Sequence, residues 1–344
     1  MNNLRATASA MVAPGKGILA ADESVATASK RLDGAGLPST EESRRAYREM
    51  LLTTPGLANW VSGVILFDET LRQATSDGVP FADYLCDQGV LPGIKVDTGA
   101  KPLAGRPGET VTEGLDGLRE RVAGYVGLGA TFAKWRAVIS IGDGRPSPAC
   151  VAANAHALAR YAALCQEGGL VPIVEPEVLI EGEHTIETCG EVTAGVLRAV
   201  FAQLAEQGVD LEAVVLKPSM VVPGTGSGQR ATVAEVAATT IRTLRASVPA
   251  AVAGIAFLSG GQSAEIATAH LDAMNRLGPH PWPLTFSYGR ALQDPALAAY
   301  AADGGATVEG GQAALCHRAR CNSAARAAAW TPEMETLEPA GAVL

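Results

Sequence analysis

Apolar residues along this chain fall into short continuous runs, separated by stretches in which they recur every third or fourth position. The continuous runs predict strands at 17–21, 60–67, 91–96, 133–139, 170–175, 213–217, 254–258 and 284–286. A strand buried on both faces reads as a run rather than an alternation, as the strands of a parallel sheet do. The intervening stretches are Ala-rich and amphipathic, and predict helices at 148–167, 188–207, 232–248 and 263–277. Gly168 and Gly208 stand at two of the expected helix ends, where glycine is favoured. Eight alternating strand–helix units predict an α/β fold of the TIM (β/α)8 barrel type. A doubly wound open sheet is the alternative, but no G-x-G-x-x-G follows the first strand. The Gly-rich stretch from Pro223 to Gln229 follows the sixth strand, lacks the P-loop lysine, and reads as a mobile loop near the barrel mouth. Residues 303–344 contain few strand formers and predict a helical extension followed by a flexible tail over 330–344. No shift in composition divides the chain, so residues 1–344 are expected to form one domain.

The cations are unevenly chosen: 6 of the 27 basic residues are lysines and the other 21 are arginines. Three lysines end apolar runs: Lys95, Lys134 and Lys217. Arginine cannot lose its proton in a protein and so cannot act as an amine nucleophile. A lysine can, when burial or a second cation favours its neutral form. Lys217, between Val-Val-Leu and Pro218, is placed for Schiff-base chemistry, with Lys134 a candidate second cation. The competing view is a structural ion pair between Lys217 and Glu175 or Glu177.

Other polar residues stand at the C-terminal ends of the expected strands, the face on which barrel active sites lie. Asp22 and Glu23 follow the first strand, and Asp68 and Glu69 the second. Lys95 and Asp97 end the third, Lys134 and Arg136 alternate on the fourth, and Glu175 and Glu177 on the fifth. Asp22 and Glu175 are candidate acid–base groups; ordinary salt bridges at the barrel rim are the alternative. After the last two strands come Ser259-Gly-Gly261 and Ser287-Tyr-Gly-Arg290. Glycines permit close backbone approach, serine hydroxyls donate, and Arg290 can grip a phosphate with two parallel hydrogen bonds. The simpler view is a pair of glycine turns that close the barrel.

Bulk properties narrow the class. Hydrophobic residues make up 47% and charged residues 18% of the chain, which is ordinary for a globular protein with a large core. A net charge of −9 argues against a nucleic-acid surface while leaving room for a locally basic pocket. No apolar run is long enough to span a membrane, and the N-terminus lacks the apolar stretch of a signal peptide. A cytoplasmic location is therefore expected, with Cys86, Cys150, Cys165, Cys189, Cys316 and Cys321 as free thiols. The five histidines form no ligand-spaced pair, so no metal or other cofactor is expected.

Eight segments, in order and at the expected strand ends, resemble the class I, Schiff-base-forming fructose-1,6-bisphosphate aldolases. They are Gly17-Ile-Leu-Ala-Ala-Asp-Glu-Ser, Gly63-Val-Ile-Leu-Phe-Asp-Glu-Thr-Leu, Pro92-Gly-Ile-Lys-Val-Asp, Ala133-Lys-Trp-Arg, Val171-Pro-Ile-Val-Glu-Pro-Glu, Leu216-Lys-Pro-Ser-Met-Val, Phe257-Leu-Ser-Gly-Gly-Gln and Thr285-Phe-Ser-Tyr-Gly-Arg-Ala-Leu. The resemblance implies a metal-free lyase that reversibly cleaves fructose 1,6-bisphosphate to dihydroxyacetone phosphate and glyceraldehyde 3-phosphate, in glycolysis and gluconeogenesis. It implies Lys217 as the Schiff-base lysine, Glu175 as the acid/base for carbinolamine dehydration, and Asp22 as the base for the C4 hydroxyl. Lys134 would hold Lys217 and Asp22 in their working states. Ser259, Gly260, Ser287, Gly289 and Arg290 would serve the C1 phosphate, with Arg31 able to swing in. Lys95, Arg136, Ser24 and Thr27 would serve the far phosphate and the substrate hydroxyls. The family's assembly implies a homotetramer. Its animal members end in a tyrosine that assists proton exchange, whereas this chain has no tyrosine after Tyr300. Trimming the tail is therefore expected to change turnover only modestly. A Schiff-base barrel for another phosphorylated sugar, such as a transaldolase, is the runner-up, and a catalytically idle binding scaffold is the third reading.

Overall fold

A computed structural model describes residues 2–336. Its strands in chain order are β1 Gly17–Ala21, β2 Val61–Leu66, β3 Leu91–Lys95, β4 Ala100–Pro102, β5 Thr110–Thr112, β6 Phe132–Ile139, β7 Val171–Val178, β8 Val215–Leu216, β9 Gly254–Phe257 and β10 Leu284–Tyr288. Eight of them close a barrel in the order β1-β10-β9-β8-β7-β6-β3-β2, and every neighbouring pair is parallel. All eight expected strands are present, and the fold is a TIM barrel. The exception to the pattern is the antiparallel hairpin β4–β5, which has no apolar run to betray it. It leans on β6, where Thr112 Oγ1 donates to the Arg136 carbonyl at 2.7 Å.

Local sequence explains the helix starts. Ser147 caps Pro148–Glu167 with proline in the first turn, and Thr232 and Glu235 form a reciprocal capping box at Val233–Arg245. Within the barrel, Ile18, Ile65, Phe132, Val171, Ile173 and Val215 pack with Met11 and Val12, at the C-terminal end of the helix Asn2–Met11. A larger core lies between the strands and the outer helices.

Two segments differ from their reading in the sequence. The Gly-rich stretch expected to be mobile is tied to its neighbour: Gly224, Thr225 and Gly226 donate backbone N–H groups to the carbonyls of His184, Ile180 and Gly182. The expected tail begins on residues that are held in place, since the Trp330 indole donates to Glu335 at 2.8 Å and the Trp330 N–H to Asp272 at 3.0 Å. The rest of that tail, 337–344, lies outside the described residues. The preceding helix runs Glu309–Arg326. All six cysteines are free thiols. Among the described residues, no helix is long and apolar enough to cross a membrane.

Candidate active site

Pro218 has no N–H to donate, so the ladder from β8 to β7 stops beside it, while its carbonyl still accepts from the Leu258 N–H on the β9 side at 3.2 Å. Toward β7 the Lys217 N–H makes the last bond, to the Val174 carbonyl at 2.8 Å, and the Ser219 hydroxyl then substitutes for that ladder by bonding Val178 N–H and C=O at 3.0 and 2.8 Å. Lys217 is thereby fixed at the C-terminal end of the barrel, and is 4% exposed. Its Nζ lies 3.3 Å from Glu175 Oε1 on the adjacent β7. The other Glu175 oxygen lies 3.3 Å from Lys134 Nζ, which in turn lies 2.6 Å from Asp22 Oδ2. Behind this group, the Tyr161 hydroxyl sits 2.8 Å from the Ala133 carbonyl and 3.0 Å from that of Ile173, pinning β6 to β7 from outside.

The charges support one another. Burial pushes the Asp22 carboxyl up, but Lys134, Lys217 and Lys95 outweigh it and hold the carboxyl below its ordinary value. Burial also opposes the Lys134 ammonium, yet Asp22, Glu175 and Asp97 hold it above the ordinary lysine value. Asp22 is thus an anion and Lys134 a cation at neutral pH.

These residues open into a cavity of about 870 Å³ at the C-terminal end of the strands. Every residue to which the resemblance gives a site role lines it: Asp22, Ser24, Thr27, Arg31, Lys95, Lys134, Arg136, Glu175, Lys217, Ser259, Gly260, Ser287, Gly289 and Arg290; Glu69 and Gly261, also noted at strand ends, do not. Their distribution follows from strand order. In a ring of eight, β9 lies across from β3 and β10 across from β6. Ser259, Gly260, Gly289 and Arg290 therefore face Lys95 and Arg136 across the mouth.

The basic groups differ in what they already hold. Lys95 bonds Asp97 at 2.6 Å, Arg136 pairs with Glu177, and Arg31 pairs with Glu23 and with Asp294 at 2.8 Å. Arg290 is exposed at the start of the helix Arg290–Ala301 and has no carboxylate partner among the described residues. Gly260 takes φ of +56°, a left-handed conformation that suits glycine. Ser24 caps the helix Val25–Gly34, and its Oγ lies 3.1 Å from Thr27 Oγ1.

Sequence reasoning missed the support behind Arg31. Glu23 is held by Arg48 at 2.6 Å and by the Gln293 amide at 2.8 Å, while Gln293 Oε1 accepts from Arg31 and from the Tyr47 hydroxyl at 3.1 Å each. The only signal was that Gln293 stands one helical turn beyond Arg290.

A parallel barrel with a buried amine, two carboxylates and a second ammonium at the mouth of a polar cavity has the constitution of an amine-nucleophile enzyme. The family model for fructose-bisphosphate aldolase class-I matches residues 3–342. The chain is 58% identical over 330 residues to a probable fructose-bisphosphate aldolase class 1 of Xanthomonas campestris, covering 96% of this chain and 99% of that one. It is 52% identical over 325 residues to the cytosolic fructose-bisphosphate aldolase 4 of Arabidopsis thaliana, covering 94% and 82%. The solved structure of fructose-bisphosphate aldolase from Plasmodium falciparum superposes with a TM-score of 0.93 at 46% identity, covering 96% of this chain and 95% of that one. The chain belongs to the class-I fructose-bisphosphate aldolase family.

Proposed function

We propose that this chain reversibly cleaves fructose 1,6-bisphosphate to dihydroxyacetone phosphate and glyceraldehyde 3-phosphate through a Schiff base on Lys217. The observation that carries the reading is the contact of Lys217 Nζ with Glu175 at 3.3 Å, inside a cavity with basic groups facing one another across its mouth. The neutral amine adds to the C2 ketone, and Glu175 moves the protons that let the carbinolamine lose water. Asp22, held as an anion, takes the C4 hydroxyl proton. The C3–C4 bond then breaks, its electron pair passes to the protonated imine, and the aldehyde leaves. The enamine regains a proton at C3, and water releases the ketone. Lys134 stays charged throughout and fixes both Asp22 and Glu175.

Arg290, Ser259, Ser287 and the backbone at Gly260 and Gly289 would take the C1 phosphate, and Lys95 and Arg136 the far one. Two such groups favour a bisphosphate over the single phosphate of a transaldolase-type substrate. Holding both ends places C2 over the amine, a positioning effect worth several kcal/mol. A cytoplasmic homotetramer acting in glycolysis and gluconeogenesis is the setting we infer from family membership.

The test is to incubate the protein with dihydroxyacetone phosphate, reduce with borohydride, and map the adduct by mass spectrometry, with and without a chelator. A chelator-resistant adduct on Lys217, absent from Lys217→Arg, is expected. An adduct on another lysine, or none, overturns the reading.

A further inference from the structure

The helix Glu309–Arg326 carries His317 and Cys321 one turn apart, so they share a face. The 3-10 turn Pro332–Glu335 brings Glu335 against that face. Cys321 Sγ lies 3.8 Å from His317 Nε2, and His317 Nε2 lies 3.9 Å from Glu335 Oε2. All three donor atoms fall within 4.8 Å of one another. Ligand atoms of a tetrahedral zinc ion, bound at about 2.0–2.3 Å, stand roughly 3.3–3.8 Å apart, so only small adjustments separate this cluster from that geometry.

None of the three lines the catalytic cavity, and no step of the aldol reaction uses them. The His317 nitrogen that faces the other two is Nε2, at distances too long for strong hydrogen bonds, while Nδ1 points away and is buried without a hydrogen-bond partner among the described residues. Glu335 is better held. Arg318 donates to Oε2 and the Trp330 indole donates to Oε1 at 2.8 Å. A carboxylate oxygen has two lone pairs, so both donors can stay in place while Glu335 binds an ion. Outer hydrogen bonds of this kind orient the ligands of metal sites. Cys321 is fully buried, while the side chains of His317 and Glu335 keep 14% and 12% exposure and leave a way in.

We propose that His317, Cys321 and Glu335 form a binding site for a divalent transition-metal ion of the zinc class, which staples the turn 332–335 to the helix Glu309–Arg326. One imidazole nitrogen, one thiolate and one carboxylate match the mixed nitrogen, sulfur and oxygen preference of zinc, and leave a fourth position for water. Binding releases the Cys321 proton to solvent, and the thiolate and carboxylate supply two negative charges, the second of them shared with Arg318. Histidine spacing alone passes over this site because the partner of His317 is a cysteine.

The full-length protein, purified with chelator and then desalted, is titrated with cobalt(II), and zinc is used to displace it. Expected are one equivalent bound and a thiolate-to-cobalt charge-transfer band that zinc abolishes. The band should vanish in Cys321→Ser, and affinity should fall at least tenfold in His317→Gln, with aldol cleavage unchanged in both. A band that persists in Cys321→Ser, or no saturable binding, overturns the proposal. Should Cys321→Ser fail to fold, zinc-edge anomalous diffraction from wild-type crystals decides instead: a peak between His317 and Cys321 supports the site, and its absence at saturating zinc refutes it. The site lies outside the catalytic cavity, so this outcome is independent of the borohydride result.

Discussion

Lys134 Nζ and Asp22 Oδ2 meet at 2.6 Å although β6 and β1 are not neighbours in the barrel. The contact therefore crosses the mouth of the barrel instead of running along its wall. It also decides the charge of Asp22, since burial alone would raise that carboxyl and Lys134 is the largest opposing influence. A depressed carboxylate adds stability above its ordinary pKa, and that contribution is lost as pH falls through the depressed value. In Lys134→Met, burial prevails and the Asp22 pKa rises. We expect the acid limb of the kcat/KM profile to move to higher pH by about 1 unit or more. A 13C titration of the Asp22 carboxyl should move the same way, even if turnover is low. An unmoved carboxyl would contradict the role given to Lys134.

The basic groups across the mouth should separate by substrate. Arg290→Ala removes a charge-assisted contact from one end and should lower kcat/KM by about 2 kcal/mol, or roughly 30-fold, for both fructose 1,6-bisphosphate and fructose 1-phosphate. Arg136→Ala should penalise the bisphosphate by a similar factor and leave fructose 1-phosphate nearly unchanged. Equal losses for both substrates in Arg136→Ala would remove it from the far phosphate.

Arg31 reaches a phosphate only by leaving carboxylates. Its bond to Asp294 is the more dispensable, because the Asp294 side chain is 58% exposed. Such a pair is worth about 0.2–1 kcal/mol. Asp294→Asn should therefore lower KM for the bisphosphate about two- to fivefold, whereas Arg31→Ala should raise it. Steady-state kinetics on the two variants checks the opposite signs. A raised KM in Asp294→Asn would mean that Asp294 positions Arg31 for binding instead of competing for it.

The barrel and the lysine–carboxylate cluster were legible because both depend on short-range pattern. Strands buried on two faces read as apolar runs; Asp22 and Lys217 directly follow β1 and β8, and Lys134 and Glu175 interrupt the runs of β6 and β7 as charged residues. What was not legible depends on long-range contact. Gln293 is joined to Glu23 across 270 positions, and nothing near either residue announces the other. The hairpin β4–β5 is anchored by side chains bonding β6 carbonyls rather than by an apolar face. The Gly-rich stretch 223–229 looked mobile in composition, but its N–H groups find partners on the 180–184 loop.

Packing under the site limits which residues β2 and β3 can carry. Gly63 on β2 and Gly93 on β3 both face the fully buried Phe132 ring. A methyl group added at Gly93 would stand 2.2 Å from that ring, far inside contact distance, and at Gly63 it would stand 2.9 Å away. Strands of a closed barrel cannot move apart freely, so the clash must be absorbed by ring and backbone shifts. Such overpacking costs about 1–3 kcal/mol or more. Gly93→Ala should thus lower the free energy of unfolding in urea more than Gly63→Ala does. Adding Phe132→Leu should recover part of the loss in Gly93→Ala, while Phe132→Leu alone should destabilise by leaving a cavity. Recovery in the double variant is the decisive measurement, because additive losses would mean that the Phe132 ring is not what excludes a side chain at position 93.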